Sequence, residues 1–199
     1  TAPTPAQSWP PAATWCVNRP AGTVPSDQAH QIFCDYNDVA SLEAAAAQAG
    51  DDLAGIFAAP FKHDAFIDQA DPDLAYARKA REICDRTGAL LIVDEVRAGL
   101  RLSRDLSWSR IGVQPDLSTW GKCLANGHPI SMMLGADKAR KAASQIYVTG
   151  SFWFQAAPMA AALETLRLVR DTDYLERLQT LGDRLADGLR ERASAAGFG

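Results

Sequence analysis

Two side chains stand out for the chemistry they could do, an acid at Asp94 and a lysine at Lys122. Asp94 follows the continuous apolar run Ala89-Leu-Leu-Ile-Val93 and precedes a second carboxylate, Glu95. In open α/β sheets ligands bind beyond the carboxyl ends of strands, so an acid in that position faces a ligand. The same position also suits a carboxylate that caps a following turn. Lys122 stands 28 residues later (122 − 94), between Gly121 and Gly127 and just after the short segment Leu117 to Thr119. Most lysines are solvated surface groups. Trp120, Cys123 and Leu124 crowd this one in sequence, and a lysine desolvated by such neighbours loses its proton more readily and becomes a nucleophilic amine.

For the two groups to act together the chain must deliver both to one place. Residues 1–30 are rich in Pro, Ala, Ser and Thr without periodicity and are expected to form a loop, followed by one short strand around Gln31 to Cys34. Asn37 is the expected N-cap of an Ala-rich helix over Val39 to Ala49, with Asp38 in its first turn and Gly50 closing it. Leu53 to Ala58, closed by Pro60, suits a buried strand. Asp71-Pro72 opens a helix whose apolar positions Leu74, Ala77, Ala80 and Cys84 recur at helical spacing before Gly88 stops it. Ala89 to Val93 reads as a parallel strand covered on both faces. Leu117 to Thr119 and Ser131 to Leu134 read as further short strands, Asp137 caps a short helix, and Gln155 to Arg170 forms a long one with Pro158 in its first turn. Asp173 begins a last helix with Leu175, Leu178, Leu181, Leu185 and Leu189 on one stripe. Strand and helix alternate, which argues an α/β layer with a mostly parallel sheet flanked by helices.

Composition narrows the partners. The net charge is −4 over 199 residues and the 20 basic residues are scattered, so no part of the chain tracks the phosphates of a nucleic acid or a membrane surface. The longest apolar run, Ala89 to Val93, is far too short to span a bilayer. Cys16, Cys34, Cys84 and Cys123 include no C-x-x-C pair, and His30, His63 and His128 stand apart, so no metal site is expected. Reduced thiols in a cytoplasmic protein are the expected state. The N-terminal Thr-Ala-Pro-Thr-Pro-Ala has no basic n-region and does not read as a signal peptide.

Leu91-Ile-Val-Asp-Glu-Val-Arg-Ala-Gly-Leu-Arg101, Gly112-Val-Gln-Pro-Asp-Leu-Ser-Thr-Trp-Gly-Lys122 and Asn126-Gly-His-Pro-Ile-Ser131, in that order and spacing, resemble the signature of class-III aminotransferases that use pyridoxal 5'-phosphate (PLP). The nearest branch in appearance is the glutamate-1-semialdehyde aminomutase-like one. The resemblance runs from about residue 22 onward, through Asp35-Tyr-Asn-Asp38, Gly150-Ser-Phe-Trp153 and Met159-Ala-Ala-Ala-Leu163. It implies a type I PLP fold, a homodimer with active sites at the interface, Lys122 as the lysine in Schiff-base linkage to PLP, Asp94 as the partner of the pyridine nitrogen, and Val96 against the ring face. Ser151, with Thr149 as the alternative, falls where the family reaches the cofactor phosphate of the neighbouring subunit. An amino donor and a keto acceptor are the implied substrates.

Three departures accompany the resemblance. Ala59-Pro60 stands where the family carries Glu-Pro, with Phe61, Lys62, His63 and Asp64 after it; His63 reads more readily as a surface or core histidine than as a site residue. Phe152-Trp-Phe-Gln-Ala-Ala-Pro158 replaces a Ser-Gly-Asn-Pro stretch; its aromatics could shape a pocket or an interface, but read slightly more readily as plain packing. The chain is also about half the family's usual length, so residues 1–171 are expected to be part of the large PLP-binding domain and residues 172–199 the start of the small one, incomplete at both ends, and the chain alone is not expected to be fully active. Arg97 or Arg101 could contact a substrate carboxylate or the partner subunit, but both read more readily as solvated charge; Cys123 reads as a buried small hydrophobe and His128 as a turn residue. The same Asp and Lys would serve an aminomutase or racemase, and Ala59 with the short length also fits a non-catalytic remnant of the fold. A dinucleotide-binding domain is disfavoured because no G-x-G-x-x-G follows an early strand.

Overall fold

The computed structural model describes residues 30–63, 69–152 and 154–198. The expected loop over residues 1–30, apart from His30, and Asp64 and Trp153 fall outside them. By its contacts the chain divides into two compact units, Thr1–Val93 with Val113–Asp116, and Asp94–Gly112 with Leu117–Gly199.

In the first unit α1 spans Val39–Ala49 and Gly50 follows it at φ 57, a left-handed value that glycine adopts without a Cβ penalty. The N-cap is Asp38, whose carboxylate accepts the Ser41 amide at 2.9 Å, and not the expected Asn37. Asn37 is diverted: its side-chain amide donates to the Asp71 carbonyl at 2.9 Å and its oxygen accepts the Asp73 amide at 2.8 Å. That double bond to the chain just before α2 (Leu74–Thr87) also explains why the helix starts at Leu74, after Asp73, and not at Pro72. The expected strand over Gln31 to Cys34 does not form among the described residues.

Strands β1 (Gly55–Ala58) and β2 (Leu90–Asp94) pair in parallel with Gly55 opposite Leu90 and Ala58 opposite Val93. Parallel neighbours need a crossover, and α2 supplies it. It buries Tyr76, Ala77, Ala80, Ile83 and Cys84 along one stripe, and Gly88, left-handed at φ 81, turns the chain into β2. A separate segment is sewn to β2 by Asp116, whose amide donates to the Leu91 carbonyl and whose carboxylate accepts the Leu91 amide, both at 2.8 Å. The same carboxylate oxygen accepts Arg81 Nη1 from α2 at 2.9 Å.

In the second unit β3 (Leu117–Trp120) and β4 (Met132–Gly135) pair antiparallel, with Trp120 opposite Met132. Helices α3 (Asp137–Ala143), α4 (Ala156–Asp171) and α5 (Tyr174–Ala195) follow. The core gathers Leu100, Trp120, Cys123, Leu124, Ala125, Ala162 and Val169. On α5 the leucine stripe is covered only near its start: Leu175 is buried and Leu178 half-buried, whereas Leu181, Leu185 and Leu189 are 60%, 65% and 60% exposed. The class is α/β, as the alternation predicts.

Candidate active site

Asp94 is the last residue of β2 and is half-buried. Its Oδ1 accepts the Thr119 hydroxyl at 2.8 Å and the Val96 amide at 3.0 Å. Oδ2 accepts no hydrogen bond among the described residues. Glu95, one residue on, turns the other way and is 1% exposed. Its two carboxylate oxygens accept the amide and the hydroxyl of Ser107, each at 2.6 Å, which anchors the 3-10 turn Ser107–Ile111. Burial pushes the Glu95 carboxyl up; the Ser107 bonds oppose that shift and the Asp94 charge adds to it. The two adjacent acids are thus divided: Glu95 holds a turn, while Asp94 keeps one oxygen for another donor.

Lys122 follows β3 through Gly121 and opens the short turn Lys122–Leu124. It adopts φ 47, a left-handed conformation disfavoured for a residue with a Cβ and found where the surroundings over-determine it. Those surroundings are a set of anchors. The Cys123 thiol donates to the Gly99 carbonyl at 2.9 Å, the Leu124 amide to the Gly121 carbonyl at 3.0 Å, and the Asn126 side-chain amide to the Thr165 hydroxyl of α4 at 3.2 Å. Cys123, Leu124 and Ala125 are buried and Lys122 itself is exposed. The expected desolvation of the lysine by its sequence neighbours is therefore not met: they turn into the core and the lysine turns out.

The two segments converge. A Cβ placed on Gly121 would lie 3.7 Å and 3.8 Å from the two Val96 methyls, so the residue before Lys122 rests beside the residue two past Asp94. Gly99 is required for that approach, since a Cβ there would come within 2.5 Å of the Trp120 ring and 2.8 Å of the Glu95 carbonyl. Asp94, Val96 and Lys122 accordingly share one region of the second unit. Thr119 belongs with them and was missed; the sequence marks it only as the end of a strand, and a hydroxyl three residues before the lysine was the one available signal.

Thr149 and Ser151 are exposed between α3 and α4, and no hydrogen bond joins them to Asp94 or Lys122 among the described residues. The reading of Phe152 and Phe154 as packing does not hold, because both are exposed, at 79% and 77%. In the first unit, Lys62 bridges Ala70 and His63 stands edge-on to Phe61 with ring centroids 5.0 Å apart. The Tyr36 hydroxyl donates to the Ala59 carbonyl at 3.0 Å. Arg97 and Arg101 are exposed, and the Arg101 guanidinium donates to the Arg97 carbonyl. His128 lies in a turn, exposed.

The family model of class-III aminotransferases matches residues 15–198. The chain belongs to that family. Among curated relatives, an aminopentol aminotransferase of Sphingopyxis macrogoltabida is 53% identical over 187 residues, which is 94% of this chain and 44% of that protein. A glutamate-1-semialdehyde 2,1-aminomutase of Bordetella avium (strain 197N) is 35% identical, covering 89% of this chain and 42% of its own. Among solved structures, the PLP internal aldimine form of the Sphingopyxis sp. MTA144 FumI protein superposes with a TM-score of 0.87 at 54% identity, over 90% of this chain and 43% of that one. An omega-transaminase from Sphaerobacter thermophilus does so at 0.72 and 28%, over 81% and 37%. The chain therefore spans less than half the length of these class-III aminotransferase relatives.

Proposed function

We propose that the protein containing this chain is a PLP-dependent aminotransferase that moves an amino group between an amine or amino acid and a keto or aldehyde acceptor. The observation that carries this reading is the Asp94 carboxylate, fixed through Oδ1 with Oδ2 open, beside a lysine turn held in a left-handed conformation. The donor set suits PLP: an anionic oxygen lacking a partner matches a protonated ring nitrogen, Val96 offers an apolar surface, and an exposed primary amine is available for the aldehyde. When bound, PLP supplies an electron sink for the electrons left at the substrate's amino-bearing carbon.

In this reading Asp94 favours the protonated ring nitrogen, because an opposite charge nearby stabilises the charged form. Lys122 would hold the cofactor, and its Nζ would take and return the proton of the substrate's amino-bearing carbon. Val96 lines the ring face. Ser151, or Thr149, contacts the cofactor phosphate across a homodimer interface; the exposure of both suits a role outside their own chain's core. Residues 1–171 belong to the large domain and residues 172–199 begin the small one, in keeping with the helix break between Asp171 and Tyr174. A cytoplasmic location belongs to the same reading.

Borohydride reduction in the presence of PLP, followed by peptide mass analysis, tests the assignment. The expected result is a pyridoxyl group on the peptide containing Lys122, lost in Lys122→Ala. An adduct on another lysine overturns the roles of Lys122 and Asp94, and no adduct favours a non-catalytic remnant. A second reading, a PLP aminomutase, draws on relatives 33–38% identical that carry that name. Transfer of the amino group between two different molecules supports the aminotransferase; rearrangement or inversion within one supports the aminomutase or a racemase.

A further inference from the structure

We propose that Thr119 is a positioning residue of this site, its hydroxyl selecting which oxygen of Asp94 is left for the cofactor's ring nitrogen. The inference rests on the proposed pairing of Asp94 with that nitrogen. A hydroxyl has a single proton to donate, and Thr119 gives its proton to Asp94 Oδ1 at 2.8 Å. The Val96 amide reaches the same oxygen at 3.0 Å. Two donors on one oxygen fix the plane of the carboxylate. They also leave Oδ2 as the oxygen that accepts a third donor.

Three features make Thr119 suited to this work. It sits in a strand whose alternate residues, Ser118 and Trp120, are buried, and Trp120 Nε1 donates to the Ser118 hydroxyl at 2.9 Å, so the backbone carrying Thr119 is held from the opposite face. A β-branched side chain has restricted χ1 freedom, so its hydroxyl keeps one direction. The same strand runs directly into Lys122 three residues later, and a shift of β3 that moved the lysine would move the hydroxyl on Asp94 with it. The acid and the lysine are thus registered to each other through one short strand.

The test compares Thr119→Val, which keeps the shape and removes the hydroxyl, with Thr119→Ser, which keeps the hydroxyl. Two quantities are measured in the full protein: PLP affinity by fluorescence titration, and the pH dependence of the bound cofactor's visible absorption. Thr119→Val is expected to bind PLP roughly tenfold more weakly or worse, as for loss of one hydrogen bond to a charged group, with the absorption midpoint displaced. Thr119→Ser is expected to restore both. Equal impairment in Val and Ser, or wild-type affinity and midpoint in Val, overturns the proposal. If Thr119→Val does not fold, Thr119→Ala is set against Ser in its place. Asp94→Asn separates this inference from the one beneath it. Unchanged cofactor affinity and absorption in Asp94→Asn sinks the role of Asp94 itself, whereas an effect in Asp94→Asn with none in Thr119→Val sinks only the role of Thr119.

Discussion

Glu95 and Ser107 form a closed pair: both carboxylate oxygens of one meet both donors of the other at 2.6 Å, in a site where Glu95 is 1% exposed. Burial raises the folded-state carboxyl above its ordinary 4.5. A raised acid contributes stability that is present below the unfolded value and is lost as the pH climbs through the folded one. Urea midpoints should therefore fall as the pH rises from about 4.5, and Glu95→Gln should remove this part of the slope. A midpoint in Glu95→Gln that falls just as steeply would show that other groups set the pH dependence. Ser107→Ala, which leaves the buried carboxylate short of a donor, should cost about 2 kcal/mol.

Gly99→Ala should destabilise the second unit by about 2 kcal/mol, because overpacking forces neighbours to move. The added methyl would meet the Trp120 ring at 2.5 Å and the Glu95 carbonyl at 2.8 Å, and neither the ring nor the backbone yields easily. Tryptophan fluorescence during denaturation reads the effect at the site of the clash. A neutral Gly99→Ala would mean that the two segments do not approach so closely.

Asp116→Ala should cost about 2 kcal/mol, the scale for leaving a buried amide without its acceptor. It removes the acceptor of the Leu91 amide in β2 and of Arg81 Nη1 at once. Asp116→Asn, which can still accept one of those donors, should cost less. Equilibrium unfolding of the two variants side by side checks the order.

Arg104 ties the end of α4 to the start of α5, donating to the Val169 and Thr172 carbonyls at 2.9 Å and 3.0 Å and to both Glu176 oxygens at 2.6 Å. The Arg104 guanidinium holds the Glu176 carboxyl down at about 2. The stabilisation from that lowered acid is present above its ordinary value and is lost only as the pH falls through about 2. Hydrogen exchange should show Arg104→Ala speeding the amides of the first turns of α5 while leaving β3 unchanged. Unaltered exchange in α5 would assign the corner to packing alone.

Much of this arrangement was legible in the residues. The bounds of α1 followed from an Ala-rich run and a terminal glycine, and the acid and the lysine followed from their motif order. What stayed hidden depends on contacts distant in sequence. Asn37 looked like a cap because capping is local, yet its side chain serves Asp71 and Asp73, 34 and 36 residues away. The leucine stripe of α5 was visible as a stripe, but periodicity does not reveal whether anything covers it. Thr119 became recognisable only once its hydroxyl was seen on an acid 25 residues upstream in the chain, and the outward turn of Lys122 only once its neighbours were seen filling the core.

The backbone at position 122 prefers a residue other than the one it has. At φ 47 a glycine, or an asparagine, would sit more comfortably than any long side chain. Replacing Lys122 by glycine should therefore relieve that backbone strain while removing the amine.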